Sequence, residues 1–257
     1  LRTEPFAEDA LQRSDFLGGQ VRLWQPREGY RAGIDPVLLA ACVPAKAGQS
    51  VLELGCGAGP ALCCLGTRVP RLRLTGLEIQ PAYAALARRN LAENRLSGEV
   101  IEGDIGAPPG ALKALTVDHV LANPPYFETE RRTIAPDAGR EMALAGEVPL
   151  GAWVRLAAKR LRDRGTATFI QRAERLPELL ASMAEGLGSL ELWPLAPREG
   201  RAPRLILARG RKGGRAAFRL HAPLILHSGP AHIEDGEDYT DLIRTVLRGG
   251  EALNFPP

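Results

Sequence analysis

The chain has 257 residues, 45% of them hydrophobic and 25% charged, and a formal net charge of +3. This is the composition of an ordinary folded protein of one large domain or two small ones, and it excludes disorder and collagen-like repeats. No stretch approaches the ~18 uninterrupted apolar residues of a spanning helix, so no membrane partner is expected.

Leu1 to Ala10 is polar and carries no basic-then-apolar signal pattern, which makes the cytoplasm the expected location. Gly18 to Pro26 alternates like a strand, and Gly29 turns it back through Tyr30, Arg31 and Ala32, so an N-terminal hairpin is expected. Asp35 reads as a helix N-cap, with Pro36 at the first helical position and the apolar run Val37 to Val43 behind it. Strands and helical patterns then alternate. Ser50 to Leu54 reads as strand, Pro60 to Val69 as helix, Leu72 to Leu77 as strand and Pro81 to Asn94 as helix. Glu99 to Glu102 and Val117 to Ala122 follow as strands, Leu150 to Arg162 as helix, Thr166 to Gln171 as strand and Leu176 to Glu185 as helix. Further strands are expected near Leu190 to Trp193 and Arg204 to Ala208. Such alternation implies βαβ units and a mostly parallel α/β sheet.

No repeat or low-complexity linker divides the chain. One domain is expected: an N-terminal hairpin and helix (1–49), a core (50–209) and a basic C-terminal extension (210–257). Cys42, Cys56, Cys63 and Cys64 lack ligand spacing and read as reduced, mostly buried thiols; no metal is expected.

The chemistry begins at the first of these strands. Glu53-Leu54-Gly55-Cys56-Gly57-Ala58-Gly59-Pro60 is a strand end, a glycine turn and a helix start. A dinucleotide fingerprint would need glycine where Pro60 stands. The observed G-x-G-x-G, two residues after an acid, resembles motif I of the Rossmann-like S-adenosylmethionine (SAM) methyltransferases. Glu78 ends the next strand, where a carboxylate suits ribose hydroxyls. Asp104 ends the third, where it can accept from an adenine amino group. Three acids at successive strand ends point to SAM as cofactor.

Asn123-Pro124-Pro125-Tyr126 follows the fourth strand. It resembles the N-P-P-Y signature of methyltransferases acting on adenine N6 or glutamine N5. A conjugated amine is a poor nucleophile because its lone pair is delocalised. The Asn123 side-chain oxygen and the Pro124 carbonyl can accept both amine hydrogens and favour a pyramidal nitrogen. The prolines restrict the loop. Tyr126 and Phe127 can stack on a planar substrate.

More of the chain resembles one family. Gly29 to Asp35, the N-P-P-Y-F loop, Gly139-Arg140-Glu141, Arg201 to Leu207 and Tyr239-Thr240-Asp241 are similar to segments of the bacterial tRNA1(Val) adenine-N6-methyltransferases. The similarity runs from about Asp15 to Leu247. It implies a Rossmann-like fold with a mostly parallel seven-stranded sheet and helices on both faces. It also implies that Gly33 and Asp35 lie against the cofactor, with Gly55, Gly57 and Gly59, and that Asn123 to Tyr126 hold the target base. The implied substrate is an anticodon-loop purine of tRNA, with Arg140 and Arg204 among the RNA contacts.

The charge is uneven. Arg198 to Arg219 holds eight basic residues against Glu199, a local +7 that leaves the rest of the chain at −4. Arg211, Lys212 and Arg215, around a glycine turn, are expected to reach RNA phosphates. The chain departs from the enterobacterial pattern in this turn and its arginine density. Two other enzyme classes share the core motifs. A glutamine-N5 protein methyltransferase of the release-factor type carries a helical domain before motif I, and only 50 residues precede Val51. A DNA adenine-N6-methyltransferase carries a separate target-recognition region, and none is evident. Oligomeric state is not legible.

Overall fold

The structure is a computed structural model that describes residues 1–29, 31–126, 148–231 and 238–257. Two strands, β1 (Leu11–Phe16) and β2 (Val21–Pro26), form an antiparallel hairpin ahead of helix α1 (Asp35–Cys42). There follow β3 (Ser50–Leu54), α2 (Pro60–Arg68), β4 (Arg73–Glu78), α3 (Pro81–Glu93), β5 (Gly98–Glu102), α4 (Gly110–Ala114) and β6 (Val117–Ala122). After residue 148 come α5 (Leu150–Arg160), β7 (Leu161–Arg172), α6 (Leu176–Gly186), β8 (Gly188–Ala196) and β9 (Leu205–Arg211). Two-residue strands β10 (Arg219–Leu220) and β11 (Leu224–Ile225) and the short helix α7 (Asp241–Arg244) complete the strands and α-helices among the described residues.

The seven long strands of the main sheet run in the order β8-β9-β7-β6-β3-β4-β5. All neighbours are parallel except β9, which is antiparallel to both β7 and β8. β10 and β11 extend the β8 edge. Strands with a side-chain period of two, buried on both faces, send alternate residues into separate cores. Val51 packs with α1 and α2 on one face, whereas Leu52 and Leu54 pack with α5 and α6 on the other. Leu207 faces the first core, and its neighbours Ile206 and Ala208 the second. Both ends of the chain seal the first face: Leu17, Val21 and Leu23 from the hairpin, and Ile243, Val246, Leu253 and Phe255 from the tail.

The N-terminal hairpin differs from its expectation. Val21–Pro26 pairs with the segment before it, Leu11 opposite Pro26 and Phe16 opposite Val21, rather than folding back past Gly29. The turn is made by Gly18 and Gly19 at φ 64 and 92. A Cβ on Gly18 would stand 2.6 Å from the Arg248 carbonyl oxygen, so the turn also needs glycine for space. Two asparagines, Asn90 on α3 and Asn94 at its C-cap, hold the hairpin against the core. Asn90 accepts from the Trp24 N–H at 2.7 Å and donates to the Trp24 carbonyl at 3.0 Å; Asn94 does the same to Arg22 at 2.9 and 2.8 Å. Each side chain completes hydrogen bonds that a strand neighbour would otherwise make.

Asp35 also departs from expectation. Ile34 occupies the N-cap position, and no side chain caps α1. β7 begins at Leu161, inside the stretch expected to be helix, because Leu161 pairs with Val117 across a bulge. β10, β11, α4 and α7 have no sequence counterpart; two to five residues are too few for a periodicity to register.

Candidate active site

The strand order β5-β4-β3-β6 sets four carboxyl ends side by side, the position at which open α/β sheets bind ligands. Leu54 pairs with Leu77 and with Ala122, and Glu78 pairs with Glu102. The glycine turn, Glu78, Asp104 and Asn123 therefore emerge at one edge. Gly55, Gly57 and Gly59 all have positive φ, at 66, 54 and 80. A Cβ on Gly55 would clash with the Trp153 ring at 2.6 Å, whereas one on Gly57 would meet nothing within 4 Å. Gly57 thus borders open space.

A cavity of about 240 Å³ lies at this edge. Leu77, Ile79, Ile105 and Trp153 give it apolar walls, Asp104 a carboxylate, and Pro124 and Pro125 the β6 side. Asp104 also accepts the Gly106 N–H at 2.8 Å, which fixes the carboxylate. Apolar walls with one rim carboxylate suit a planar heterocycle bearing an N–H donor. Glu78 sits just beneath. Its two oxygens accept the Gly57 and Gln80 N–H groups at 2.9 Å each, tying motif I to the end of β4. Burial pushes the Glu78 carboxyl up, against the pull of those N–H groups.

Asn123 opens the loop after β6. Its Oδ1 is buried and has no hydrogen-bond partner among the described residues. Leaving a buried acceptor unsatisfied costs about 1–3 kcal/mol, so such an atom calls for a partner that the described residues do not supply. The residues after it are held from outside. Gln171 donates to the Pro124 carbonyl at 3.3 Å, and the Tyr126 hydroxyl donates to Asp35 Oδ2 at 2.6 Å. The Arg172 guanidinium stands 5.4 Å from the centre of the Tyr126 ring.

The methyltransferase small domain matches residues 32–173, more than half of the chain. The chain belongs to that family. A tRNA1(Val) (adenine(37)-N6)-methyltransferase of Porphyromonas gingivalis is 32% identical to this small-domain methyltransferase over 158 residues, 58% of this chain and 61% of the relative. Its namesake in Shewanella amazonensis is 30% identical over 183 residues, 70% of this chain and 77% of the relative. Among solved structures, a predicted O-methyltransferase from Agrobacterium tumefaciens superposes with a TM-score of 0.71 at 26% identity, over 87% of this chain and all of the other.

Of the methyltransferase's expected site residues, Gly55, Asp104 and Pro124 line the cavity, and the other described ones, Asn123, Tyr126, Gly57, Gly59 and Glu78 among them, do not. Glu53 is buried and accepts the Leu62 N–H at 3.2 Å, beneath the start of α2, where burial pushes its carboxyl well up. Gly33 is exposed, and the Asp35 carboxylate reaches Tyr126. Phe127 and Arg140 lie outside the described residues. The basic segment is split between opposite ends of the sheet. Arg204 is at the carboxyl end, its carbonyl accepting the Ala173 N–H at 2.9 Å. Arg211 pairs with Thr166, which stands level with His119 near the amino end of β6, and Lys212 donates through Nζ to the Leu161 carbonyl at 2.6 Å. With β9 antiparallel to β7, the expected contacts Arg211, Lys212 and Arg215 stand on the order of 20 Å from Arg204, at ~3.4 Å per residue of strand. Arg198 pairs with Asp238, and Arg209 and Arg219 with Glu191, so the +7 is partly neutralised in place.

The sequence assigned no role to Trp153, Ile79 or Ile105 and marked Gln171 only as the end of a strand. Gln171 did leave a signal: it is an amide closing an otherwise apolar run, Ala167 to Ile170, broken only by Thr168.

Proposed function

We propose that the chain, as a single methyltransferase domain, transfers a methyl group from SAM to the N6 amine of an adenine in tRNA, an anticodon-loop purine. The orphaned Oδ1 of Asn123 carries this reading. The names of the tRNA-modifying relatives support the RNA substrate. The open face of Gly57 and the apolar cavity with Asp104 at its rim fit the cofactor. The motif I turn at Gly55, Gly57 and Gly59 would hold it together with Glu78 and Asp104. When bound, SAM supplies a methyl group carried on a sulfonium.

The chain's own groups prepare the acceptor nitrogen. Asn123 Oδ1 and the Pro124 carbonyl accept hydrogen bonds from the two amine N–H groups, which draws the nitrogen lone pair out of conjugation with the ring. Neither proline has an N–H to engage Asn123 Oδ1, the Pro124 carbonyl keeps a second lone pair beside its bond from Gln171, and the prolines preorganise the loop. Tyr126 stacks on the base, which must first leave its own stack; an unpaired loop purine does so at little cost. The reaction then depends on positioning more than on a side-chain base.

The test is Asn123→Ala. Its single-turnover rate on unmodified tRNA should fall about 10²-fold or more, while calorimetry gives a nearly unchanged SAM Kd, because the lost acceptor acts on the transition state. Equal losses in both would make Asn123 a structural residue and remove the reading's main support.

A further inference from the structure

The Pro124 carbonyl is one of the two acceptors invoked above, and among the described residues it is a side chain from outside the loop that fixes which way it points. β6 and β7 are parallel, with Ala122 opposite Phe169, so Gln171 stands level with Pro124 two residues beyond the last ladder pair. A normal residue at 124 would continue the ladder through its N–H, but proline has none. The Gln171 side chain takes over. Its Nε2 donates to the Pro124 carbonyl at 3.3 Å, and its Oε1 accepts the Arg172 N–H at 2.7 Å. Both ends of the amide are engaged, so it cannot turn. The residue is 0% exposed. A buried amide is costly unless paired, and an apolar side chain would pack as well at that point. What the amide adds is a donor aimed at Pro124.

We propose that Gln171 is a positioning residue for methyl transfer: it orients the Pro124 carbonyl so that the oxygen's second lone pair is presented to the substrate amine. This rests on the reading of the Asn123–Tyr126 loop as the amine-binding element. Gln171 itself touches neither substrate nor cofactor in this arrangement. Its effect belongs in the rate of the chemical step and not in binding. Arg175, which reaches the Pro125 carbonyl at 3.5 Å from the turn after β7, supports the next peptide of the same loop.

Two variants separate the donor from the rest of the amide. Gln171→Met keeps length and volume and loses both hydrogen bonds. Gln171→Glu keeps an acceptor for the Arg172 N–H but replaces the donor with a second oxygen facing Pro124. Single-turnover rates, the KM for unmodified tRNA and the SAM Kd are measured for both, with Asn123→Ala alongside. We expect kcat to fall about tenfold or more in each variant, the scale set by a misplaced reacting group, with KM and SAM Kd close to parental. Glu should be no better than Met. Parental kcat in Gln171→Met overturns the proposal. So does a parental Glu variant, which would assign the role to the Arg172 bond, and so does a loss shared equally by kcat and SAM affinity. If Asn123→Ala also turns over normally, the amine-binding reading itself has failed; if Asn123→Ala is slow and Gln171→Met is not, only the positioning role is lost.

Discussion

Tyr126 makes two kinds of contact, and they are separable. Its ring, with the Arg172 guanidinium 5.4 Å from its centre, is proposed to stack on a base, while its hydroxyl is bonded to the Asp35 carboxylate at 2.6 Å. A hydrogen bond to a charged partner contributes about 1.5–3 kcal/mol. Tyr126→Phe should therefore keep the stacking surface yet lose roughly tenfold in kcat/KM toward tRNA. Asp35→Ala should lose a similar factor, and the double variant little more than either alone, since both remove one bond. Additive losses would mean that the two residues act independently. A carboxylate that looks like a helix cap in the sequence thus serves the loop 91 residues later, a pairing that no local pattern encodes. The N-P-P-Y loop itself was legible because its residue types have few other uses together. Its supports, Gln171 and Asp35, were not, because their roles exist only once β7 and α1 are brought alongside it.

At the scale of elements, the carboxyl ends of the strands face the cavity and the amino ends are closed by a polar layer. On β6, Asp118 accepts the Ser50 N–H and hydroxyl at 2.8 Å each, and the His119 ring bonds Thr166 at 2.8 Å and Gln49 at 2.9 Å. Burial lowers the His119 pKa from 6.5 to about 4. Below pH 6.5 the unfolded chain takes up a proton at this ring that the folded chain refuses until about pH 4. The stability involved is fully present above pH 6.5 and is lost as pH falls toward 4, on the order of 3 kcal/mol across the window. The raised carboxyls of Glu53 and Glu78 act in the opposite sense, destabilising as pH rises. The difference between the parent and His119→Gln is therefore the quantity to read. Denaturant midpoints taken from pH 4 to 7 should show a shallower acid loss in His119→Gln; parallel curves would mean that the ring titrates normally. Strands and helices of more than five residues, β1 excepted, were largely legible from their hydrophobic patterning. The hairpin register was not, because it depends on where Gly18 meets the Arg248 carbonyl, 230 residues away along the chain.

Across the whole molecule, charge is distributed differently from the way it runs in sequence. The basic run divides at the two ends of β9. Arg204 is exposed on the side where Asn123 emerges, and Arg201 lies three residues before it. Arg211, Lys212 and Arg215 lie at the far end, with Lys212 already on the Leu161 carbonyl. A tRNA bound for catalysis should release counterions mainly at the first group. Arg201→Gln with Arg204→Gln should flatten the salt dependence of tRNA affinity by up to about two contacts' worth, whereas replacing Arg211, Lys212 and Arg215 should leave it nearly unchanged. The reverse result would put the RNA on the amino-end face, away from the cavity.

The identity of the methylated atom tests the account most directly. Incubating the protein with methyl-labelled SAM and unmodified tRNA, then digesting the RNA and resolving its nucleosides by mass spectrometry, reads that atom. The account predicts label in N6-methyladenosine, from an anticodon-loop purine, and its loss with Asn123→Ala. Label in a different nucleoside, or in a glutamine of an added protein substrate while the tRNA stays unlabelled, would contradict it.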